Sequence, residues 1–329
     1  MAKLMVVSTT DFTSQPLLQI DTIDFINGPG TTAVATFSGV QLGSPRISPQ
    51  VLIDGSEGVN AIVVNGTGIT VDLSGWRFAN WGTFDTIQIR GTSLSETLNG
   101  SSQNDTIFGF NGNDRINGGA GADVIEGGRG LDRLDGGTGN DTLSYLGSGA
   151  GVTINLATGL ATGGDASGDK FSGFENVAGS SYDDNLTGDA GANALSGENG
   201  NDALNGGLGS DIITGGNGRD TMTGGGNADR FVFTAIDQSV VGSNRDVITD
   251  FNENEDLIDL SAIDAIPTTG LDDSFTFIGT DAFTAAGQVR YQISGGQTII
   301  QVNQDGTFSP DMEIALTGTH VLDSADFIL

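Results

Sequence analysis

The sequence lacks the residues on which several kinds of catalytic site depend. It contains no cysteine, so disulfides and thiolate metal sites are excluded. Its single histidine is His320, and neither an HExxH motif nor a G-x-S-x-G motif occurs. Zinc-protease chemistry and the nucleophile elbow of hydrolases are therefore excluded, and a Ser-His-Asp triad is disfavoured. We expect a protein that is not an enzyme.

Long apolar runs are also missing. No stretch approaches the roughly 20 apolar residues of a membrane span, so we expect no membrane insertion. The start, MAKLMVVSTTDFT, has an apolar run of four residues, which is too short for the core of a cleavable signal peptide. Export, if it occurs, needs a different signal.

Positive charge is scarce, because 12 basic residues stand against 42 acidic ones and the formal net charge is −30. Phosphate recognition needs clustered Lys and Arg, so the balance argues against nucleic acid and anionic membranes as partners. Proline is scarce at 6 residues, whereas glycine is abundant at 53. Glycine is costly in helices but suits tight turns, which favours a repeating strand-and-turn architecture.

The glycines and acids recur in a nine-residue repeat, of which GGRGLDRLDGGTGNDTLS (residues 127–144) contains two copies. The first places are Gly91, Gly100, Gly109, Gly118, Gly127 and Gly136 in one block, and Gly179, Gly188, Gly197, Gly206, Gly215 and Gly224 in a second block out of phase with it. The sixth place is acidic in eleven of the twelve repeats, with Asn193 as the exception. The eighth places are Leu98, Ile107, Ile116, Ile125, Leu134, Leu143, Leu186, Leu195, Leu204, Ile213, Met222 and Phe231.

This repeat predicts an all-β solenoid. The last three residues form a short strand with one inward side chain, and the first six form a glycine turn. Two repeats close one coil, so residues 18 apart lie above one another, as Asp123 over Asp141. Stacked carboxylates repel unless a cation lies between them, and all-oxygen ligation favours Ca²⁺ over Zn²⁺ or Cu²⁺. The alternative is a solvated aspartate that caps its own turn.

The repeats resemble the RTX, or hemolysin-type, calcium-binding nonapeptides. The resemblance implies a right-handed parallel β-roll with several Ca²⁺ ions, each held by two turns one coil apart. It pairs Asp114 with Asp132, Asp123 with Asp141, Asp202 with Asp220 and Asp211 with Asp229. Repeats in which Glu96 or Asn193 takes the sixth place, or Leu94, Gln103, Tyr182 or Asn227 the fourth, are expected to bind weakly or not at all.

The candidate calcium ligands are sixth-place carboxylates with turn residues whose carbonyls surround them. In the first block they are Asp105, Gly109, Asn111, Asp114, Gly118, Ala120, Asp123, Gly127, Arg129, Asp132, Gly136, Thr138 and Asp141. Between the blocks lies Asp169, and the second block supplies Asp184, Gly197, Asn199, Asp202, Gly206, Leu208, Asp211, Gly215, Asn217, Asp220 and Asp229.

Residues 229–329 are similar to the C-terminal domain of serralysin-type secreted proteases and their relatives. The resemblance implies a small β-rich cap with its own calcium around Asp246, Asp250, Asp256 and Asp259, although DLIDL is also typical of an ordinary capping strand. It further implies type I secretion through an uncleaved C-terminal signal that ends in Asp326–Leu329.

We expect five segments. They are a β-rich N-terminal cap with calcium-free coils (1–90), a first roll block (91–147), an irregular coil (148–178), a second roll block (179–232) and the C-terminal cap (233–329). Trp76 and Trp81, in the first segment, are expected to plug a coil corner; a sugar-stacking platform is the alternative.

Two functional hypotheses follow. The first is a secreted protein that folds on Ca²⁺ after export by type I secretion machinery and acts as a structural, surface-layer, matrix or adhesive element, with self-association. The second is a secreted protein that binds or modifies a polysaccharide, such as one at a cell surface, through its N-terminal solenoid. In both, calcium binding and folding are coupled.

Overall fold

The protein is described from a computed structural model, which covers residues 2–14, 17, 20–26, 31–38, 41–42, 47–55, 58–67 and 70–329. The N-terminal cap and calcium-free coils predicted for residues 1–90 lie partly outside these ranges. The chain divides into two compact units. Unit 1 comprises residues 1–147 and 165–174, and unit 2 comprises residues 148–164 and 175–329. Within the described residues, no helix is long and apolar enough to cross a membrane.

The described residues form short strands. In chain order they are β1 (Ala2–Val6), β2 (Thr10–Asp11), β3 (Ile20–Phe25), β4 (Thr32–Ser38), β5 (Ile47–Asp54), β6 (Val59–Asn65), β7 (Thr70–Asp72), β8 (Arg77–Ala79), β9 (Thr86–Arg90), β10 (Thr97–Asn99), β11 (Asp105–Phe108), β12 (Arg115–Ala120), β13 (Val124–Glu126), β14 (Arg133–Thr138), β15 (Thr142–Ser144) and β16 (Thr153–Asn155). There follow β17 (Leu160–Thr162), β18 (Lys170–Ser172), β19 (Asn176–Ala178), β20 (Asn185–Thr187), β21 (Ala194–Ser196), β22 (Ala203–Leu208), β23 (Ile212–Thr214), β24 (Thr221–Gly226), β25 (Arg230–Val232), β26 (Asp246–Ile248), β27 (Leu257–Asp259), β28 (Thr276–Phe277), β29 (Gln288–Ser294), β30 (Gln297–Asn303), β31 (Met312–Thr317) and β32 (Phe327–Ile328). Two 3-10 turns cover Gly164–Ala166 and Ser324–Asp326.

Unit 1 is built from parallel sheets. One runs in the order β1-β3-β5-β8, a second in the order β7-β10-β12-β14-β18, and a third begins β2-β4-β6-β9 and continues through β11, β13 and β15. The register is set by the repeat, since Thr97 pairs with Arg115 and Arg115 with Arg133, each 18 residues on. The N-terminal strands belong to these same parallel sheets.

Unit 2 repeats this arrangement and adds antiparallel strands. One set of parallel strands runs β19-β21-β23-β25-β27-β32, and the other runs β16-β20-β22-β24-β26-β31. The second set is extended by an antiparallel partner at one end (β17) and by antiparallel β30 and β29 at the other. The predicted fold, a parallel β-roll with a β-rich C-terminal cap, is confirmed.

In the two repeat blocks, the core is formed by the eighth-place side chains. All of them, from Leu98 to Phe231, are at most 2% exposed. Each strand is so short that it contributes one inward side chain, and the neighbouring coils cover that side chain above and below. A single coil therefore cannot bury its own apolar residue, and the stack folds as a unit.

The segment between the blocks is divided between the units. Within it, β16 forms an antiparallel hairpin with β17 in unit 2. Residues 165–174 join unit 1, where Lys170 pairs with Arg133. The spacing there is 37 residues rather than 18, so the nine-residue period is broken at this pairing.

Candidate metal centre

The sixth-place side chains form four stacked rows, which we call turn rows. Rows 1 and 2 lie in unit 1 and rows 3 and 4 in unit 2. Row 1 contains Glu96, Asp114, Asp132 and Asp169; row 2 contains Asp105, Asp123 and Asp141; row 3 contains Asp184, Asp202, Asp220 and Asp246; row 4 contains Asn193, Asp211, Asp229 and Asp256.

One oxygen of each stacked carboxylate is held by the backbone. The N–H of each row member donates to Oδ1 of the aspartate one coil further on, at 2.8 Å from Asp123 to Asp141 and 2.8 Å from Asp202 to Asp220. The short aspartate side chain reaches this N–H while its second oxygen stays in the turn. The repeat thereby fixes the orientation of every carboxylate.

The second oxygen is buried and lacks a hydrogen-bond donor among the described residues. This holds for Oδ2 of Asp114, Asp123, Asp132, Asp202, Asp211, Asp220, Asp229 and Asp246. A buried anionic oxygen without a partner is costly, and native structures rarely leave one uncompensated. A solvated aspartate that caps its own turn would not leave a buried oxygen without a donor. The geometry therefore favours a cation over the solvated-aspartate alternative.

Backbone carbonyls lie beside these oxygens. A Cβ added at Gly109 would stand 2.6 Å from Oδ2 of Asp114 and 2.5 Å from the carbonyl oxygen of Gly127. The carboxylate oxygen and the carbonyl of the next coil therefore converge on one point above the first-place glycine. The donors are all hard oxygens from flexible turns, which is the set that Ca²⁺ prefers. The predicted first-place ligands thus fit calcium, and glycine is required to leave the space open.

Without a metal, burial disfavours the ionised form of these carboxylates. It raises the pKa of Asp202 to about 8, with further contributions from the stacked Asp220 and Asp184, while the Asp184 N–H opposes the shift. Burial likewise raises the pKa of Asp105 to about 8 and that of Asp114 to about 7. A bound divalent cation would reverse this preference by stabilising the ionised form.

The second place of the repeat decides whether the free oxygen is available. Where that residue has positive φ, as at Gly119 (φ 106°), Phe110 (φ 71°) and Glu198 (φ 74°), the carboxylate keeps an unpartnered Oδ2. At Ser180 and Thr92 the second-place N–H instead donates to the sixth-place carboxylate, at 2.6 and 2.7 Å. We call these two states open and closed turns.

Closed turns lie mostly at the ends of the rows. Besides Glu96 and Asp184, both oxygens of Asp256 accept backbone N–H groups, from Asp229 and Asn252. Asp169 accepts from Asp132 N–H through Oδ1 and from the Tyr145 hydroxyl through Oδ2 at 3.1 Å. The weak binding predicted for the repeats with Glu96 and Asn193 is in keeping with their closed geometry, and stays a prediction.

Of the four acids predicted for the cap site, Asp246 and Asp256 belong to turn rows and the other two do not. Asp246 stacks under Asp220 at 2.7 Å and has an unpartnered Oδ2, so it extends row 3. Asp250 lies outside the rows, and both its oxygens accept from Gly224 and Gly225 N–H groups. Asp259 also lies outside them.

Asp259 accepts from Ser261 and lies 3.5 Å from Arg230. The predicted cap site around Asp246, Asp250, Asp256 and Asp259 is therefore not gathered into one cluster. Asp246 follows Asp220 by 26 residues, so the nine-residue period does not find it. The sequence RDVI, an acid followed by an alternating strand, carries the only local signal.

The tryptophans and the histidine contribute to packing. Trp76 is 4% exposed, and Trp81 packs edge-on against Phe25 and Phe78, with ring centroids 6.0 and 5.3 Å away. His320 Nδ1 lies 3.0 Å from Glu253 Oε1 in the cap. Trp76 is buried and Trp81 is half-buried; the corner plug and its alternative, a sugar-stacking platform, stay predictions.

Comparison with known proteins agrees with this geometry. The family model of the RTX calcium-binding nonapeptide repeat matches residues 90–125, 108–143, 171–204, 178–213 and 196–231. These repeats bind Ca²⁺, and the several copies imply several ions. No curated protein matches the chain.

Three solved structures are similar to parts of the chain. The AlgE6R3 and AlgE6R2 subunits of the mannuronan C5-epimerase from Azotobacter vinelandii are both 30% identical, with TM-scores of 0.36 and 0.34. The matches cover 46% and 45% of this chain and 80% and 89% of those subunits. The extracellular lipase LipA from Serratia marcescens is 16% identical with a TM-score of 0.30, over 83% of this chain and 45% of the lipase.

Proposed function

Because the chain belongs to the family of proteins with RTX calcium-binding nonapeptide repeats, we propose that it is a secreted protein that folds on Ca²⁺ after export and serves as a non-enzymatic structural, surface-layer, matrix or adhesive element. The observation that carries the calcium part of this proposal is the set of open turns. At Asp114, Asp123, Asp202 and Asp211, a buried carboxylate oxygen without a donor among the described residues lies next to a carbonyl of the following coil.

Calcium binding supplies the free energy that the chain alone lacks. Without the ion, stacked carboxylates repel and abundant glycine favours the unfolded chain. The ligands of one site come from two coils, so the site exists only in the folded roll and binding is linked to folding. Extracellular calcium modules typically bind in the range of about 10⁻⁴–10⁻³ M, so the roll folds where calcium is abundant.

The folded position of the C-terminal residues supports export before folding. Phe327 is buried, and β32 pairs with β27. Asp326 is buried and caps the adjoining 3-10 turn by accepting the Asp323 N–H. Secretion machinery that reads Asp326–Leu329 would have to engage the chain while it is unfolded, which a low-calcium interior maintains.

The proposal of a structural role is supported by the parts of the chain that make up the two units. Strands, turn rows and cap account for both units, and the single histidine and the two tryptophans are engaged in packing. The named activities of the epimerase and the lipase belong to those proteins. Self-association at the cell surface or in a matrix is the behaviour to test.

The decisive test is a calcium titration of the purified chain, followed by circular dichroism and light scattering together. We expect a steep gain of β-structure, and a rise in mass if the protein self-associates. The Asp123→Asn variant keeps an Oδ atom for the Asp105 N–H but loses the charge in the turn, so its midpoint should shift to higher calcium by several-fold.

Asp135→Asn is the matched control, because Asp135 lies in the same stretch of repeats on β14 but outside the turn rows. Its midpoint should stay unchanged. A wild-type chain that gains no β-structure with calcium contradicts the proposal outright. A transition at constant monomer mass keeps calcium-coupled folding and removes the self-associating role.

A further inference from the structure

The outer face of β12, β14 and β18 in unit 1 carries a row of cations. Arg115 pairs with Arg133, and Arg133 pairs with Lys170, so the three side chains lie in register on adjacent strands. All three are exposed. They amount to a quarter of the 12 basic residues of a chain whose net charge is −30. We call them the basic ladder.

The basic ladder has no internal electrostatic partner. Like charges directly opposite each other on neighbouring strands are destabilising. Some basic residues elsewhere are paired with acids, as Arg245 with Glu313 at 2.7 Å and Arg230 with Asp259 at 3.5 Å. No carboxylate within the described ranges lies within ion-pair distance of the ladder residues. The fold thus tolerates a repulsive row, which a bound anion would relieve.

A second row of polar side chains runs beside the ladder. Asn117, Asp135 and Ser172 pair across the same three strands, and the two rows border a groove of about 200 Å³. Farther along the sheet the ladder row continues with Thr97 and the second row with Asn99. Three cations therefore face an amide, a carboxylate and a hydroxyl across one groove, and the carboxylate of Asp135 accepts a hydrogen bond from the Ser172 hydroxyl.

We propose that this groove binds a linear acidic polysaccharide. Its cations recur at the strand spacing of about 4.8 Å, so they match a ligand with regularly repeated anionic groups. The facing amide and hydroxyl groups match sugar hydroxyls. A nucleic acid would instead require a broadly basic surface. Charge complementarity therefore selects an acidic glycan, with either carboxylate or sulfate as its anion.

Calcium prepares the site, so this inference rests on the proposed function. Asp114 and Asp132 precede Arg115 and Arg133 directly and belong to row 1. Without calcium the roll is unfolded, so the basic ladder is not assembled. With calcium the charge of the row 1 carboxylates is neutralised, and the field of the basic ladder is not cancelled. Glycan and calcium should then strengthen each other's binding, since coupling is reciprocal.

The experiment compares two triple variants of the full chain in saturating calcium. The ladder variant is R115Q/R133Q/K170Q. The control is R77Q/R90Q/R219Q, which removes the same charge from exposed sites outside the ladder. Binding is measured by titration calorimetry with a polyuronate, a sulfated polysaccharide, a neutral glucan and polyglutamate, while circular dichroism verifies the calcium-dependent fold.

We expect the wild type and the control to bind an acidic polysaccharide, and the ladder variant to bind about ten-fold or more weakly, since three exposed ion pairs are lost. The preferred polymer, polyuronate or sulfated, identifies the anion. Equal loss in both variants, equal binding of polyglutamate, or no binding by a calcium-folded wild type would each overturn the proposal. A chain that does not fold with calcium would instead refute the proposed function.

Discussion

At the scale of single residues, the second place of the nonapeptide acts as a selector. Its N–H either turns away, when φ is positive, or donates to the sixth-place carboxylate. Ser180 holds Asp184 twice, through N–H at 2.6 Å and through Oγ at 2.9 Å. Phe110 and Glu198 show that the open state follows backbone conformation and does not require glycine, although glycine adopts it without strain.

This selector yields a prediction for Ser180→Gly. Glycine can take positive φ, release Oδ2 of Asp184 and open the turn, so the variant should bind about one more Ca²⁺ ion per chain or bind calcium more tightly. Ser180→Ala is the control, because it removes the hydroxyl but keeps a non-glycine backbone whose N–H still closes the turn. Titration calorimetry measures the stoichiometry. Equal stoichiometry and affinity in the two variants would show that the second place does not control the site.

At the scale of elements, the repeat determines strands and register wherever its period holds. Every eighth-place residue is buried, and the pairs 18 apart are stacked, as the sequence predicts. The period depends on local turn chemistry, which a single sequence reveals. The period does not predict the pairing of Lys170 with Arg133, 37 residues apart, or the stacking of Asp246 on Asp220, 26 residues apart. At these two points long-range contacts, and not the local repeat, determine the register.

Acidic residues outside the nine-residue repeat are harder to assign to a site from the sequence. The resemblance implies one site around Asp246, Asp250, Asp256 and Asp259, yet only Asp246 and Asp256 stack in rows, and these are different rows. Backbone donors take both oxygens of Asp250, an outcome that no spacing rule encodes. The basic ladder was equally hidden, because Lys170 meets Arg133 only through the segment that returns to unit 1.

Two leucines of one coil test the energetic role of the inward position. Leu134 is 2% exposed and Leu131 is 60% exposed. Leu134→Ala should lower the free energy of unfolding in saturating calcium by about 2–5 kcal/mol, because it leaves a cavity between stacked coils. Leu131→Ala should change it by less than about 0.5 kcal/mol. Urea unfolding followed by circular dichroism gives both values. A similar effect of the two substitutions would argue against a core confined to the eighth places.

At the scale of the whole molecule, charge determines the conditions under which the rolls are folded. A net charge of −30 opposes compaction, and the acids with the highest pKa values are those in the turn rows. Protons and calcium are alternative ways to neutralise them. Calcium is compatible with ionised carboxylates at neutral pH, whereas protons serve only in acid.

The sign of the pH dependence follows from the direction of these shifts. Burial raises the folded-state pKa of Asp105, Asp202 and Asp246 to about 8, above the ordinary aspartate value of about 3.9. The folded state therefore binds more protons than the unfolded state, and the free energy of unfolding decreases as pH rises through that interval. The calcium-free chain should contain more β-structure at about pH 5.5 than at about pH 8.

Calcium should remove this pH dependence, because it restores β-structure at the higher pH. At the lower pH protons should compete with calcium for the carboxylates, so the midpoint of the calcium titration should shift to higher calcium. Asp202→Asn serves as the internal control, because it deletes one raised pKa and should flatten the calcium-free pH profile, whereas Asp135→Asn should not. Circular dichroism against pH, with chelator and with calcium, measures all of these. The β-structure of the calcium-free chain could instead stay constant or increase with pH. In that case, ionisation of the turn-row carboxylates is not what keeps the calcium-free roll unfolded.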